Sequence, residues 1–328
     1  MAVIRYGIAG QPVEHSLSPL LTALVAAHIG LPWDEKRLKM ELIDVPNMTD
    51  ALAWGYAGAV PSQREWVYTG AVFGKFRTSA LMKRAVEAAM ELEGAPPSLE
   101  PANTHAFLPS VEGATGLPTR MFDEEIWINL TAPLKHQLDS SAVMCIDDSM
   151  KTKSVNALRW DGKGWWCAGL DGEGVRAVLH HHGVVAHEHV LGLAGGGGGA
   201  RSTAASWTRA GGSVNCLPSR RPLEEGSWTA SLTEDSPTVY VDFDGTVETK
   251  DHETLFLKAT YSPMAGSFES RVQQISTPHL DGRWLLAAQH LACWRTLWAP
   301  EMADRLPTLG LLLSRLLMAE SVLESYAS

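Results

Sequence analysis

The sequence predicts an α/β protein of two domains, and three observations predict it. The chain has 328 residues, long for one domain and comfortable for two. Short apolar strands alternate with helical segments from the first residues onward. One strand, Val190 to Ala194, runs directly into five glycines and then a helix, the opening of a nucleotide-binding βαβ unit.

Val3 to Ile8 reads as a short buried strand. Pro19 to Ile29 reads as a helix, with Ser18 as its N-cap and Pro19 at its first position. Leu38 to Ile43 is the second strand, and Asn47 to Trp54 opens another helix. From about 58 to 125 the chain is rich in Gly, Pro, Ser and Thr and reads as a partly structured insertion. It holds one good helix, Ser79 to Leu92, with Leu81, Met82, Val86 and Met90 on its apolar positions. Gly94 and Ala95-Pro96-Pro97 end it. Glu125 to Leu130 returns to strand. After the glycines come a helix, Ala200 to Ala210, and a buried strand, Thr238 to Phe243. Trp284 to Trp298 and Leu306 to Leu323 are apolar and helical.

Composition narrows the function. Apolar residues make up 45% and charged residues 20%, as in ordinary globular proteins. A net charge of −10 argues against a nucleic-acid binder, which needs Lys and Arg to meet phosphates. A few local cations still suffice for an anionic substrate. The cysteines Cys145, Cys167, Cys216 and Cys293 are scattered, with neither zinc spacing nor a disulfide framework. That usage points to a reduced, cytoplasmic setting. The N-terminus lacks a signal-peptide pattern, and no apolar run reaches membrane-spanning length.

The polar residues carry the chemistry. Asn129 and Thr131 stand two apart, so strand alternation puts them on one face. Lys135 follows, just after Pro133. A lone Lys there is by default a solvated charge. Beside a polyhydroxylated ligand it can hold or transfer a proton at an oxygen. Asp171 lies in a turn entering a helix, where an Asp can serve simply as N-cap. Paired with Lys135, it would orient the ammonium and accept from a hydroxyl. Ser16 and Ser18 stand before a helix, either as caps or as a double hydroxyl contact to a carboxylate. Asn156 and Gln289 have amides able to bind hydroxyls, or to brace structure.

In this order, Ser16-x-Ser18-Pro19, Asn129-x-Thr131-x-Pro133-x-Lys135, Val155-Asn156, Asp171-Gly172, the glycine run and Gln289 resemble the pattern of shikimate dehydrogenases. The resemblance spans 3–45 and about 125–300, weakly between 220 and 255. It implies Lys135 and Asp171 as the catalytic pair, Ser16 and Ser18 on the substrate carboxylate, and Asn129, Thr131, Asn156 and Gln289 on the ring hydroxyls. Tyr261 is similar to the family tyrosine near the nicotinamide. It also implies an α/β substrate domain, residues 1–168 with the C-terminal helices of 282–328 returning to it, and a Rossmann-like NADP-binding domain at 169–281. The implied reaction is the NADP-dependent, reversible reduction of 3-dehydroshikimate to shikimate. Quinate or NAD are alternatives, and the expected assembly is a monomer or homodimer.

The family's cofactor loop has Gly-Ala-Gly-Gly-Ala, a small residue and Arg. Gly195, Gly196, Gly197, Gly198, Gly199, Ala200 and Arg201 fit that frame, although five glycines can also be a flexible linker. Ser219, Arg220 and Arg221 stand where the family reads the adenosine 2′-phosphate. No acid ends that strand, so two arginines favour NADP over NAD, unless the loop is merely solvated. Three departures matter. Gly169-Leu170 replaces the family's Asn-Thr before Asp171, which threatens to loosen the site. The insertion suggests a lid, an oligomer contact or decoration. The cofactor half is short after Arg221, by about a helix and its loop.

Two rival readings remain. Asp242-Phe243-Asp244-Gly245-Thr246 resembles the nucleophile motif of haloacid dehalogenase-like phosphatases, with too little chain after it for that core. The other rival is a paralogue that binds shikimate-like acids without turning them over. His180-His181-His182 with His187 and His189 reads as a helix end and an exposed loop rather than a metal site.

Overall fold

The structure is a computed structural model that describes residues 3–31, 37–57, 67–68, 71–72, 75–102, 124–247, 253–276 and 278–327. The first half runs β1 (Val3–Gly10), α1 (Ser18–His28), β2 (Leu38–Asp44), α2 (Met48–Ala57), the short hairpin β3 (Val67–Tyr68) and β4 (Ala71–Val72), and α3 (Lys75–Met90). It continues with β5 (Glu124–Leu130), β6 (Val143–Cys145), α4 (Ser149–Thr152), β7 (Ala157–Trp160) and β8 (Trp165–Ala168). These strands form a six-stranded sheet, ordered β2-β1-β5-β7-β8-β6. β1 is parallel to both β2 and β5, whereas β7 is antiparallel to β5 and β8.

Then follow α5 (Asp171–His181), β9 (Val190–Ala194), α6 (Gly198–Arg209), β10 (Ser213–Cys216), β11 (Val239–Asp242), β12 (Phe256–Lys258), α7 (Phe268–Ile275) and β13 (His279–Leu280). Their sheet is ordered β10-β9-β11-β12-β13 and is parallel throughout. α8 (Gly282–Cys293), a π-helical turn at Trp294–Trp298, a 3-10 turn at Pro300–Arg305 and α9 (Leu309–Ala327) finish the fold. No helix among the described residues is long and apolar enough to cross a membrane.

Alternation along β5 sorts the two faces of the first sheet. Ile126, Ile128 and Leu130 pack with Ile43, Trp54, Leu158 and Trp165 on one side. Trp127 faces the other side, where Trp298 stacks on it at 5.6 Å and Trp294 meets it edge-on at 4.9 Å. Such aromatic pairs are worth about 0.5–1.5 kcal/mol each beyond their burial. They bring the C-terminal segment back onto the first sheet. The buried pair of Arg159 and Glu125 fastens the same place, because Arg159 Nη1 also donates to the Leu297 carbonyl at 3.0 Å.

Several local readings are corrected. Helix α1 starts at Ser18 itself, with Leu17 in the N-cap position and no side-chain cap from Ser18. The nearby hydroxyl that accepts is Ser16 Oγ, from the Ser18 N–H at 3.2 Å. α9 starts later than expected because Pro307 interrupts the chain, and Thr308 Oγ1 then accepts from Leu311 N. α3 is not decoration. Its Ala85, Val86 and Ala89 are buried in the main core beside α1 and α9, and Arg315 of α9 donates to the Leu92 carbonyl. The rest of the expected insertion, 58–66, 69–70, 73–74 and 103–123, lies outside the described residues. The histidine run does end α5, and it is packed rather than solvated there: His181 Nε2 donates to the Leu99 carbonyl at 3.1 Å, and His181 and His182 pack on Trp284.

Candidate active site

Lys135 sits on the 3-10 turn Leu134–His136 that follows β5, anchored by the buried Leu134. Its Nζ lies 2.6 Å from Asp171 Oδ2. Asp171 is the first residue of α5 and only 2% exposed. It caps nothing: its other oxygen, Oδ1, accepts from Asn156 Nδ2 at 2.9 Å. Asn156 is fully buried, and its Oδ1 accepts the Leu170 N–H at 2.8 Å. One amide thus holds both the carboxylate and the turn that presents it.

The Gly169-Leu170 departure tightens this turn. The Gly169 N–H donates to Asp147 Oδ2 at 2.8 Å, and its carbonyl accepts from Ser202 Oγ at 2.9 Å. A methyl group on Gly169 would stand 2.5 Å from Ser149 Cβ, so no larger residue fits without rearrangement. Leu170 is wholly buried.

Asn129 is buried against this cluster. Its Oδ1 accepts from the Tyr6 hydroxyl at 2.6 Å, and its Nδ2 is 4.0 Å from Cys293 Sγ. Thr131, half-buried, packs where a Cβ on Gly10 would meet its Cγ2 at 2.3 Å. Gln289 precedes Cys293 by one helical turn, so both lie on one face of α8. Gln289 is 7% exposed, and its amide makes no hydrogen bond among the described residues. At the start of α1, Ser16 and Ser18 gather with Tyr261, whose hydroxyl accepts from Leu17 N at 3.2 Å and also bonds Ser16. Burial raises the Tyr261 phenol above its ordinary range.

Three residues escaped the sequence reading. Tyr6 lies between the two clusters, its hydroxyl donating to Asn129 Oδ1 with the Ser18 and Thr22 side chains nearby; burial pushes its phenol up. Arg283 lies 5.4 Å from the Tyr261 ring centre and pairs with Asp281 and Glu320. It also donates to the Ser262 carbonyl, which positions the Tyr261 loop. Cys293, its thiol pushed up by burial, closes the floor behind Asn129, Lys135 and Asp171. An arginine at the start of an apolar helix was the one signal available for Arg283.

The glycine run is a strand-to-helix turn and not a linker. Gly195 has φ +125°, which favours glycine. Gly197 is the N-cap residue of α6 and has open space beside it. The N–H groups of the first helical turn have no partner within the helix. Gly199 packs on the Phe243 ring, and Ala200 is buried. A methyl group on Gly198 would stand 2.9 Å from Lys135 Cβ, so the glycine turn directly abuts the Lys135 turn. Gly196 meets a different neighbour: a Cβ there would be 2.0 Å from the Pro222 carbonyl oxygen.

The expected phosphate-reading residues are largely engaged within the protein. Arg201 Nη2 pairs with Glu224, and Ser219 Oγ donates to the Arg221 carbonyl at 2.8 Å. No acid ends β10, but Asp244, just beyond β11, reaches across: its Oδ2 accepts the Arg220 N–H at 2.8 Å, and Oδ1 is 3.9 Å from the Arg220 guanidinium. Arg221 is exposed. No α-helix separates β10 from β11. A cleft of about 440 Å³, lined by Lys151, Lys153, Arg201, Glu224 and Trp228 among others, lies beside it. Asp242 is a turn anchor, not a free nucleophile: its carboxylate accepts from the N–H groups of Asp244, Gly245 and Val247.

No family model matches the chain. It is similar to the shikimate dehydrogenase (NADP(+)) of Methylibium petroleiphilum, 28% identical over 198 residues, 60% of this chain and 46% of that protein. The match thus spans less than half the length of that relative. Among solved structures it is similar to shikimate 5-dehydrogenase from Thermus thermophilus in complex with NADP(H) and shikimate, at 18% identity and TM-score 0.56, over 97% of this chain and 100% of that one. Shikimate dehydrogenase 1 from Peptoclostridium difficile gives 10% identity and TM-score 0.51, over 90% and 91%. In its two-sheet fold and in this partial sequence match, the chain is similar to shikimate dehydrogenases.

Proposed function

We propose that the protein catalyses the reversible, NADP-dependent reduction of 3-dehydroshikimate to shikimate. The observation that carries this reading is the Lys135–Asp171 ion pair, braced by Asn156 and abutted by the glycine turn at Gly198. The residues fit a dinucleotide: Gly197 offers open space at the start of α6, where an anion is favoured. Gly195 to Ala200 would hold the pyrophosphate, with Arg201, Ser219, Arg220 and Arg221 toward the adenosine phosphate. Bound there, NADP(H) supplies or accepts the hydride.

The chain's own residues do the rest. Ser16, Ser18 and Tyr261 hold the ring carboxylate at the N-terminus of α1, where the helix dipole favours negative charge. Thr131 and Gln289 take ring hydroxyls. Asn129 and Asn156, both buried and bonded, mainly hold their neighbours in place. Lys135 donates a proton to the forming alkoxide, or recovers it in the reverse direction, while Asp171 fixes the ammonium and accepts from the same hydroxyl. In this reading, 1–168 with 282–328 is the substrate half and 169–281 the cofactor half. The substrate is a small ring acid, the setting cytoplasmic and the assembly a monomer or homodimer.

The test is absorbance at the reduced-nicotinamide band, with shikimate or quinate and NADP or NAD in all four pairings. Turnover with shikimate and NADP supports the reading; quinate or NAD turnover alone reassigns substrate or cofactor. A second reading is a ring-acid binder without turnover. It is favoured by the internal pairing of Arg201 with Glu224 and of Arg220 with Asp244. Silence in all four pairings with tight shikimate binding by calorimetry would select it.

A further inference from the structure

Two thiols stand behind the turn that carries Asp171. β6 and β8 run parallel and place Cys145 opposite Cys167, so both side chains leave the sheet on the same side. Neighbouring strands lie about 4.8 Å apart, within the Cα separation that a disulfide spans. Both cysteines are free, Cys167 buried and Cys145 half-buried. Cys145 Sγ also lies 3.2 Å from Ser149 Oγ and 3.3 Å from Asp147 Oδ1.

We propose that Cys145 and Cys167 are an oxidisable thiol pair, with Cys145 the site of attack on hydrogen peroxide and Cys167 the partner that closes the disulfide. The Cys145 sulfur attacks one peroxide oxygen and the O–O bond breaks. Cys145 becomes a sulfenic acid, and the departing oxygen leaves as water with the thiol's proton. The Cys167 sulfur then attacks the Cys145 sulfur, the S–O bond breaks, and a second water carries off the Cys167 proton. Two thiols have lost two electrons and two protons, and the peroxide has become two waters.

The local chemistry supports this order. The neighbouring Cys167 thiol brings Cys145 down to about 7, against the opposing effects of burial and of the Asp147 charge. Cys145 is therefore the readier thiolate, and the thiolate is the nucleophile. Cys167 is pushed up by Cys145 and by burial.

The pair is also wired to the Asp171 turn. The Ile146 N–H donates to the Cys167 carbonyl, and Asp147 accepts from the N–H groups of Ser149 and Gly169. Drawing the Cys145 sulfur onto Cys167 removes it from Ser149 and Asp147, the groups on which Gly169 rests. Gly169 has no room to absorb that change, and Asp171 is two residues on. Oxidation should therefore lower turnover reversibly.

The test is peroxide treatment of the whole chain, alkylation of remaining thiols and peptide mass mapping. The expected product joins the Cys145 and Cys167 peptides with the mass of two hydrogens lost, and dithiothreitol restores both thiols. Cys145→Ser should keep its untreated turnover and become insensitive to peroxide. Oxygen addition confined to the exposed Cys216, or oxidation of Cys145 with Cys167 still unlinked, would overturn the pair. A cross-link that leaves turnover unchanged would overturn the coupling to Asp171. Mass mapping needs no dehydrogenase activity, so it stands apart from the proposed reaction.

Discussion

Replacing Lys135 with Met keeps the apolar stem and removes the ammonium. The lost interaction is a 2.6 Å bond to a carboxylate that is 2% exposed, leaving Asp171 with Asn156 alone. A positioned proton donor contributes about 10²–10⁴ in rate. At about 1.36 kcal/mol per factor of ten, that is roughly 2.7–5.4 kcal/mol of transition-state stabilisation. The cost to folding is smaller. Breaking a fully buried pair costs about 3–5 kcal/mol, but the Lys135 side chain is 22% exposed, so about 1–2 kcal/mol is expected. The assay combines initial rates of NADP reduction, shikimate affinity by calorimetry and thermal melting. Turnover should fall at least about a hundredfold, with the melting temperature lowered by only a few degrees. Combining Lys135→Met with Asp171→Asn should be little worse than the worse single change, because the two act as a unit. Turnover within about threefold of the parent, less than 1 kcal/mol, would refute the assignment. So would losses that multiply in the double variant.

Other changes probe the supports. Asn156→Ala leaves the Leu170 N–H unpaired in the interior; it should cost about 1–3 kcal/mol in denaturant unfolding and also lower turnover, whereas loss of stability alone would make it purely structural. Burial lowers His290 to about 3 and His182 to about 4, from 6.5. Below pH 6.5 the unfolded chain binds protons that the folded chain does not. Stability should therefore be full above about 6.5 and fall toward the folded values by up to about 1.4 kcal/mol per unit for each histidine. His290→Phe should flatten that slope and raise the melting temperature, since neither ring nitrogen has a partner among the described residues; an unchanged slope would contradict the account. Lys153 holds φ 52°, a left-handed conformation that costs a side-chain-bearing residue about 1–2 kcal/mol. Glycine there loses back about 0.5–1 kcal/mol in chain entropy, so Lys153→Gly should melt at the same temperature or slightly higher.

Local pattern made much of the fold legible. Alternation in β5, the strand leading into glycines at β9 and α6, and the apolar C-terminal helices are all short-range signals. The failures involve distance along the chain. Tyr6 and Asn129 are 123 residues apart, and nothing in a strand's alternation says which polar tip will meet which. Asp244 reaching Arg220 depends on β11 lying next to β9 and β9 next to β10, a topological fact. Ser18 looked like a cap because Pro19 follows it as a first helical residue, but the helix simply includes Ser18. α3 looked like surface decoration because Gly- and Pro-rich chain flanks it; its packing partner, α9, lies more than two hundred residues later. Arg283 reads as an oddity in an apolar helix until Glu320 arrives to pair with it.

The dependence of α3 on α9 has a consequence for synthesis on the ribosome. α3 and α1 bury their apolar faces against α9, so the first sheet cannot be roofed until α9 has been made. At about 5–20 residues per second, the intervening stretch takes on the order of ten to forty seconds. Through that interval Leu81, Met82 and Val86 have no permanent cover, and a nascent chain in this state is a natural client for a holding chaperone.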